Sequence, residues 1–349
     1  MPVFAPEKLV GIGSEILVAA GVSVDEARVV AGQLVESNLD GHDSHGIIRL
    51  PQYIGTIERG EINPGAEIEV GQETPVTAVV DGNWGFGQVV MNRAVELGME
   101  RAGGLGIAAL TVRHANHIGR LGSYVERIAR GGMIGLMFVN MHGGGVIVVP
   151  WGGREARLGT NPLAVGVPTA GGEPLVLDMT TSVVAEGKVR VMRNRGEKVP
   201  PGWVVDREGN PTEDPAAFYG PPRGGILPFG GVAGHKGYGL NLVVELLGGA
   251  LSGAGCAGKS RRNGNGVLLM VLNVAHFAPL EEFYRQGDDF VDFVKSSPTA
   301  PGFDEILMPG EIEARQRQRR EREGVFVEEE TWQQILDCGR RFGWREGER

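Results

Sequence analysis

A short segment, residues 40–53, carries several side chains that could do chemistry together. It contains two imidazoles, a hydroxyl, a guanidinium and a phenol, contributed by His42, Ser44, His45, Arg49 and Tyr53. An imidazole can accept or donate a proton near neutral pH, and an arginine fork can hold a carboxylate through two parallel hydrogen bonds. The segment therefore has the groups needed to bind a small acid and to move a proton on it, which points to an enzyme.

A second histidine-bearing segment, residues 112–119, lies further along the chain and contains His114 and His117. Each segment thus holds two histidines three positions apart. Four imidazoles, with Asp43 as a further ligand, could bind a metal ion, so a metal-dependent hydrolase or lyase is an alternative function. Neither pair sits in a convincing continuous helix, however, and we expect no metal site.

The composition limits the classes of protein to consider. At 349 residues the chain suggests about two domains, and a hydrophobic content of 42% is enough for packed cores. A net charge of −9 and a pI near 5.4 argue against nucleic acids and membranes as partners. The two cysteines, Cys256 and Cys338, give no disulfide framework. We see no signal peptide in the first eight residues and expect a cytoplasmic protein.

Helical spacing dominates the first seventy residues. Ser23 and Glu26 form a capping box ahead of apolar residues at helical intervals, and Pro51 suits the first turn of a second helix. Towards the carboxyl terminus the chain is again helical. The spacing predicts one helix over 311–323, whose many charges indicate a solvent-exposed face, and another over 328–341.

Between these helical ends, strands and helices alternate. Predicted strands cover residues 75–81, 107–112, 134–140, 163–167, 174–178 and 267–274, and predicted helices cover 88–101, 121–130 and 238–251, the last of them buried. The pattern indicates an α/β protein with a mixed central sheet and flanking helices. We expect a helical domain built from residues 1–73 together with 305–349, and an α/β domain over 74–304 with a long surface excursion near 194–225.

A complete dinucleotide-binding fingerprint of the Rossmann type is not found in the sequence. The nearest match, Gly85-Phe86-Gly87, lacks the third glycine and the acidic residue about twenty positions later. A tight strand-to-helix turn explains this segment better, so a dinucleotide would have to bind elsewhere.

Two other segments carry groups suited to a nucleotide. Asp178 and the hydroxyls of residues 180–182 follow a predicted strand, where they could cap a helix or bind a ribose. On the residues alone, capping is the better interpretation. The glycine-rich segment 229–239 leads into a predicted helix and includes Lys236. Free backbone N–H groups beside a cation make a workable phosphate site.

Together these segments resemble a known family, the type 2 malate/L-lactate dehydrogenases, along nearly the whole chain. The matching blocks, in order, are Asp43-Ser44-His45-Gly46 with Arg49 and Tyr53, Asn116-His117 with Gly119, Gly159-Thr160-Asn161-Pro162, Leu177-Asp178-Met179 with Ser182, Gly187-Lys188, Gly234-His235-Lys236-Gly237 and Ile306-Leu307-Met308-Pro309-Gly310-Glu311. Seven blocks in the same order are a specific signal. The resemblance implies a non-Rossmann NAD(P)-binding fold and a homodimer with active sites near the subunit interface.

The resemblance also implies an activity, hydride transfer between NAD or NADP and a small 2-hydroxy or 2-oxo acid such as malate or L-lactate. His117 would take the hydroxyl proton, with Ser44 and His45 as the other catalytic residues; in some members the proton donor lies at the position of His45. Arg49 would hold the substrate carboxylate, with Tyr53 beside it. The residues implied to contact the cofactor are Asp178, Met179, Thr180, His235, Lys236, Pro309, Gly310 and Glu311. Because the family includes a piperideine-2-carboxylate reductase, reduction of a cyclic imino acid is a further alternative.

Two features depart from the family pattern. Arg120 follows the Asn116-His117 block, where many members carry a small residue, and Met141-His142 lies in a stretch that also differs. An extra arginine could bind a second substrate carboxylate, as in malate, or could be an ordinary surface ion-pair partner. The sequence leaves both interpretations of Arg120 open.

Overall fold

A computed structural model describes residues 2–258 and 262–345 of the chain. The strands in this part of the chain are β1 (Val3–Phe4), β2 (Glu69–Gly71), β3 (Thr77–Asp81), β4 (Ile107–Ala115), β5 (Met133–His142), β6 (Leu163–Val167), β7 (Leu175–Met179), β8 (Val204–Val205), β9 (Pro211–Thr212), β10 (Gly225–Ile226), β11 (Gly264–Asn273) and β12 (Val325–Phe326). Seven of them form a central sheet in the order β2-β3-β4-β11-β5-β6-β7. Because β3 and β4 are parallel and the other neighbours antiparallel, the sheet is mixed.

Helices flank this sheet and build a second layer from the two ends of the chain. The helices of the described residues are α1 (Pro6–Ala19), α2 (Val24–Leu39), α3 (Leu50–Glu58), α4 (Gly87–Leu105), α5 (Gly122–Arg130), α6 (Glu186–Arg195), α7 (Pro215–Tyr219), α8 (Gly234–Glu245), α9 (Leu280–Lys295), α10 (Glu311–Glu323) and α11 (Glu329–Arg341). α4 packs on β4 and β11, and α5 packs on β5 and β6. The predicted fold class, an α/β protein with a mixed central sheet and flanking helices, is confirmed.

The pattern of side chains along the strands explains the sheet. In β4, Ala108, Leu110 and Val112 alternate with less buried neighbours and are fully buried, as expected for a strand with one face on a helix layer. Residues 265–269 of β11 are buried on both faces of the sheet, because this strand lies between β4 and β5 at the centre of the sheet. All six predicted strands are present, and the strand over residues 163–167 has its predicted limits.

A separate apolar core joins the two ends of the chain. Leu9 and Ile16 of α1 and Val30 of α2 pack in one cluster with Trp332 and Ile335 of α11. The Ser23 hydroxyl accepts a hydrogen bond from the backbone N–H of Glu26 and so caps the start of α2 as predicted. The Glu26 carboxylate accepts from the backbone N–H of Gly65. The limits 1–73 with 305–349 for a helical domain stay a prediction, which this shared core supports.

Several elements differ from the expectations. α6 and α9 were not predicted. The helix expected over 238–251 begins earlier, at Gly234, and continues as a π-helical turn, Leu246–Ala250. It is not buried throughout, because a row of apolar side chains on it is exposed, namely Leu242, Val243, Leu246 and Leu251.

The segment near 194–225, expected as a surface excursion, folds into a small unit. β8, β9 and β10 form a three-stranded antiparallel sheet, and α7 lies beside it. Val199, Val204, Phe218 and Ile226 are buried in a common cluster. The segment is therefore held by an apolar core that it shares with Val148, Leu158, Val184 and Val189, which its high proline, glycine and charge content does not indicate.

α10 is not simply a solvated charged helix, contrary to the expectation for residues 311–323. The Arg317 guanidinium donates two hydrogen bonds, of 2.8 and 3.0 Å, to the carboxylate of Asp40 at the end of α2. Arg320 donates to both carboxylate oxygens of Asp43, at 2.6 and 2.9 Å. The charges along α10 thus dock it against the segment that carries the histidines.

A buried ion pair continues this network into the α/β part. The side chains of Asp40 and Arg120 are each 3% exposed and form a short ion pair. Burial raises the pKa of Asp40 even though Arg120 and Arg317 oppose the effect, which means that the carboxylate is strongly desolvated. Removing one partner of such a network leaves a charge without its compensation.

No helix among residues 2–258 and 262–345 combines the length and the apolar character needed to cross a membrane.

We expect Arg120→Met to lower the free energy of unfolding by about 3–5 kcal/mol, because it leaves the buried Asp40 carboxylate with only one of its two cationic partners. Urea denaturation of the ligand-free protein measures this loss. Arg130→Met is the matched control, since Arg130 is 45% exposed and pairs with Glu126 and Glu173 at the surface; its cost should stay below about 1 kcal/mol. Equal losses for the two variants would contradict the interpretation.

Candidate active site

The histidine-bearing segment after α2 is held in place by Asn38. The buried Asn38 amide oxygen accepts a hydrogen bond of 2.8 Å from the backbone N–H of Ile47, and its nitrogen donates to Asp43 at 2.7 Å. A Cβ on Gly46 would overlap this amide, so only glycine fits there. Two short 3₁₀ turns, Asp43–His45 and Ile47–Arg49, follow and lead into α3.

The structure brings five predicted site residues into one cluster. The Tyr53 hydroxyl lies 2.8 Å from Nδ1 of His117. The rings of His117 and His45 are stacked, with centroids 5.5 Å apart and an interplanar angle of 24°. The Ser44 hydroxyl lies 3.0 Å from Nδ1 of His45, and Nε of Arg49 donates to the Ser44 carbonyl at 2.6 Å. Groups more than sixty residues apart in sequence thus share one site.

His117 is positioned by the turn that follows β4. The Asn116 side chain donates to the backbone carbonyl of Trp84 at 2.8 Å, and the backbone N–H of Ile118 donates to the Asn265 side chain at 3.1 Å. A Cβ on Gly87 would collide with the Asn116 carbonyl oxygen. The glycines of the incomplete fingerprint therefore serve a close backbone contact that supports His117.

Burial and the neighbouring guanidinium keep both imidazoles uncharged. The pKa of His45 falls from 6.5 to about 3, chiefly because of burial and then because of Arg49. The pKa of His117 lies well below 6.5 for the same two reasons, with a smaller contribution from His45. Burial raises the pKa of Tyr53 to about 12. At neutral pH the cluster therefore presents one cation, Arg49, beside neutral hydrogen-bonding groups.

Sequence reasoning missed two further features of the cluster. The amide nitrogen of Gln88, near the start of α4, donates a hydrogen bond of 2.7 Å to the Tyr53 hydroxyl. α6 begins against Ser44, because a Cβ on Gly187 would lie 3.5 Å from the Ser44 Cβ. Gln88 is a polar residue near the start of a helix, and nothing in the sequence around it predicts a hydrogen bond to Tyr53. α6 is rich in charged residues and has no apolar periodicity that would predict a helix.

The paired histidines do not converge on one point. His42 lies 3.3 Å from Glu313 of α10, and His114 lies 2.9 Å from the carboxylate of Asp81. Within residues 2–258 and 262–345, no group of three or more histidine, cysteine, aspartate or glutamate side chains is arranged to hold a metal ion. The arrangement gives no support to the metal-dependent alternative.

Arg120 fits neither of its two sequence interpretations. It is buried in the ion pair with Asp40 rather than exposed at the surface, and its Nε lies 3.9 Å from the Asp178 carboxylate. The other two residues that depart from the family pattern are Met141 and His142. The Met141 sulfur accepts a hydrogen bond from the Thr160 hydroxyl at 3.4 Å. Nδ1 of His142 lies 2.9 Å from the Arg262 carbonyl. All three contacts are structural ones within the protein.

The predicted cofactor residues lie along the β7 edge of the sheet. Asp178 and Met179 end β7, and Thr180 follows. The Asp178 carboxylate accepts a hydrogen bond of 2.7 Å from the backbone N–H of Gly122, so it caps the first turn of α5. Segment 309–311 lies beside the same strand, because the Pro309 carbonyl accepts a hydrogen bond of 3.0 Å from Val176.

The glycine-rich segment that carries His235 and Lys236 contacts the residues after β7. They lie in the first turn of α8, and no side chain caps this helix. The backbone N–H of Phe229 donates to the Thr181 carbonyl at 2.9 Å, which ties the glycine-rich segment to the residues after β7. A Cβ on Gly237 would collide with the Phe229 carbonyl. Uncapped N–H groups beside a lysine fit the phosphates of a dinucleotide.

Comparisons with known proteins identify the family of the chain. The family model described as malate/L-lactate dehydrogenase matches residues 4–336. The L-sulfolactate dehydrogenase of Methanocaldococcus jannaschii is 38% identical over 347 residues, covering 98% of this chain and 97% of that protein. The malate dehydrogenase of Pyrococcus abyssi is 37% identical over 338 residues, covering 94% and 91%.

A solved structure shows the same architecture. The malate dehydrogenase of Pyrococcus horikoshii superposes with a TM-score of 0.89 at 34% identity, covering 99% of this chain and 96% of that one. The resemblance drawn from the seven sequence blocks is thereby confirmed. The chain belongs to the malate/L-lactate dehydrogenase family, whose malate, lactate and sulfolactate dehydrogenases are NAD(P)-dependent oxidoreductases of 2-hydroxy acids.

Proposed function

We propose that this protein transfers a hydride between NAD(P) and a small 2-hydroxy or 2-oxo acid of the malate or L-lactate type. The observation that carries the proposal is the cluster in which a cationic fork, Arg49, lies beside an uncharged imidazole, His117, that is hydrogen-bonded to Tyr53. A carboxylate and an adjacent carbonyl or hydroxyl oxygen are the two groups that such a pair can bind at once.

In this proposal Arg49 binds the substrate carboxylate. Its guanidinium now donates to the Ser44 carbonyl and, at 2.7 Å, to the Gln52 side chain. Both hydrogen-bond partners are neutral. A substrate carboxylate would give the Arg49 guanidinium a negatively charged partner. The Tyr53 hydroxyl is hydrogen-bonded to the His117 imidazole, so we assign Tyr53 to positioning this ring and not to binding the substrate carboxylate.

His117 is the proposed proton-transfer residue. Oxidation of a 2-hydroxy acid removes the hydroxyl proton as the hydride leaves carbon, and reduction returns it; a positioned imidazole can serve both directions. His45 stacks against His117 and is oriented by Ser44. We assign these two residues to orienting and enclosing His117.

Bound NAD(P) supplies the hydride acceptor or donor. We propose that Asp178, Met179, Thr180, Pro309, Gly310 and Glu311 contact it along the β7 edge and that His235 and Lys236 hold its phosphates. The uncapped first turn of α8 and the glycine-dependent contact of Gly237 with Phe229 support this placement.

We also propose that the protein is a homodimer. The exposed apolar row on α8 and the turn after it supports this, since Leu246 is 59% exposed and Leu251 is 58% exposed. Adjacent exposed apolar side chains of this kind mark a contact surface, and a second copy of the chain would cover them.

A spectrophotometric screen with NADH and NADPH tests the proposed function. Malate- and lactate-type 2-oxo acids should be reduced, and cyclic imino acids serve as the competing class of substrate. A preference for an imino acid over every 2-oxo acid would favour the reductase alternative. Absence of nucleotide oxidation with all of these compounds would contradict the proposal.

Arg49→Lys provides the matched variant for this screen, since lysine keeps the charge but loses the planar fork. We expect kcat/KM for every active 2-oxo acid to fall roughly 10²-fold, as for loss of a well-oriented charged contact in a closed site. An unchanged kcat/KM would remove Arg49 from the substrate site.

His117→Asn should lower kcat by roughly 10²-fold or more while leaving cofactor binding intact, because a general acid–base residue contributes about that much. His45→Asn should lower kcat by a smaller factor, since His45 contacts His117 through ring stacking. Turnover numbers and a fluorescence titration with NADH measure the two effects. If His45→Asn abolishes turnover and His117→Asn retains most of it, the roles are the reverse.

A further inference from the structure

Three side chains form a buried hydrogen-bonded chain that ends on the proposed proton-transfer residue. Gln88 is 1% exposed and donates from its amide nitrogen to the Tyr53 hydroxyl at 2.7 Å. Tyr53 is 2% exposed, and its hydroxyl lies 2.8 Å from Nδ1 of His117. Gln88 belongs to α4, Tyr53 to α3, and His117 follows β4.

The direction of these hydrogen bonds determines where the proton of His117 lies. A phenol has one proton to donate. The Tyr53 oxygen accepts from Gln88, and Nδ1 of His117 is the one acceptor among the described residues in contact with this hydroxyl, so the O–H donates to Nδ1. A neutral imidazole that accepts at Nδ1 carries its proton on Nε2. No described residue makes a hydrogen bond to Nε2 of His117, so this nitrogen is available to a substrate.

We propose that Gln88 is a positioning residue that acts through Tyr53 to keep the proton of neutral His117 on Nε2. The consequence for substrate rests on the proposed function. An Nε2–H group donates to the carbonyl oxygen of a 2-oxo acid, whereas a 2-hydroxy acid requires a free lone pair on Nε2. The resting protein is therefore prepared to bind the carbonyl oxygen of the 2-oxo acid through this hydrogen bond. Completing the reduction takes one further proton from solvent onto the imidazole, so that His117 returns to its neutral form after it gives up a proton.

The opposite tautomer requires Gln88 to turn its amide. With the proton on Nδ1, His117 donates to the Tyr53 oxygen, and the phenol O–H must find another acceptor. The amide oxygen of Gln88 is buried and has no hydrogen-bond partner among the described residues. A rotation of the Gln88 amide by about half a turn, which exchanges its oxygen and nitrogen, would supply that acceptor.

Other neighbours of His117 do not fix its tautomer. His45 contacts the ring by stacking rather than by a hydrogen bond. Arg49 acts on the charge of both imidazoles and not on the choice of nitrogen. The tautomer thus depends on the chain through Tyr53 to Gln88.

Nitrogen NMR of the full-length, ligand-free protein labelled with ¹⁵N-histidine tests this directly, because protonated and unprotonated ring nitrogens have distinct shifts. The sequence holds seven histidines, and His117→Asn identifies the signals of His117. We expect Nε2 to be protonated and Nδ1 unprotonated in the wild type near pH 7. Protonation of Nδ1 in the wild type would overturn the proposal.

Variants then test the role of Gln88. Gln88→Glu replaces the donor by an acceptor for the phenol O–H and should shift the ratio of the two tautomers about fivefold or more towards Nδ1–H, the equivalent of one net hydrogen bond. Gln88→Leu supplies neither donor nor acceptor, so the phenol O–H keeps Nδ1 as its acceptor and the ratio should stay near that of the wild type. If Gln88→Glu does not fold, Tyr53→Phe removes the O–H that Nδ1 accepts and should also shift the ratio towards Nδ1–H. A wild-type ratio in whichever of Gln88→Glu and Tyr53→Phe folds would overturn the proposal.

Gln33→Leu is the matched control, since Gln33 accepts a hydrogen bond of 3.1 Å from another buried tyrosine, Tyr124. It should leave the tautomer of His117 unchanged, and a shift as large as that of Gln88→Glu would show a nonspecific effect and contradict the assignment. The spectra need neither cofactor nor substrate. A failure of this proposal is therefore distinct from a failure of the proposed function, which the substrate screen measures.

Discussion

The hydrogen bond between Tyr53 and His117 joins the two parts of the molecule on which the site depends. Tyr53 belongs to α3, which packs in the apolar core made from both ends of the chain, whereas His117 follows a central strand of the sheet. Neither part alone contains the cluster. Asn38 on one side and Gly87 on the other bring the backbone close enough for this contact. The fold therefore determines the site by fixing how the helical ends lie against the sheet.

Burial beside a guanidinium gives the cluster its electrostatic character. Since the folded-state pKa of His45 falls from 6.5 to about 3, the unfolded chain binds more protons within that interval, and the folded state loses stability as pH falls through it. Neutral imidazoles next to Arg49 therefore lower the free energy of unfolding at acidic pH. The buried Asp40–Arg120 ion pair positions the adjoining segment. Burial raises the pKa of the Asp40 carboxyl, so this group is desolvated as well.

Local chemistry was readable from the sequence, and long-range contacts were not. The capping pair Ser23 and Glu26 and the strand over 163–167 depend on neighbouring residues. The apolar spacing of Phe283, Phe290 and Val294 in α9 is likewise a local signal of a helix. Arg120 meets Asp40 across eighty residues, and Gln88 meets Tyr53 across thirty-five. No local sequence pattern predicts either contact, because both depend on how the helical ends of the chain pack against the sheet.

The central claim is that Arg49 and burial keep His45 and His117 uncharged in the ligand-free protein. A pH titration of their ring signals in the full-length chain measures this most directly. The account predicts that both imidazoles are neutral at pH 7, with the pKa of His117 well below 6.5 and the pKa of His45 at about 3. It also predicts that Arg49→Met raises both pKa values because it removes a neighbouring positive charge. Titration of both rings near 6.5 in the wild type, or pKa values unmoved by Arg49→Met, would contradict it.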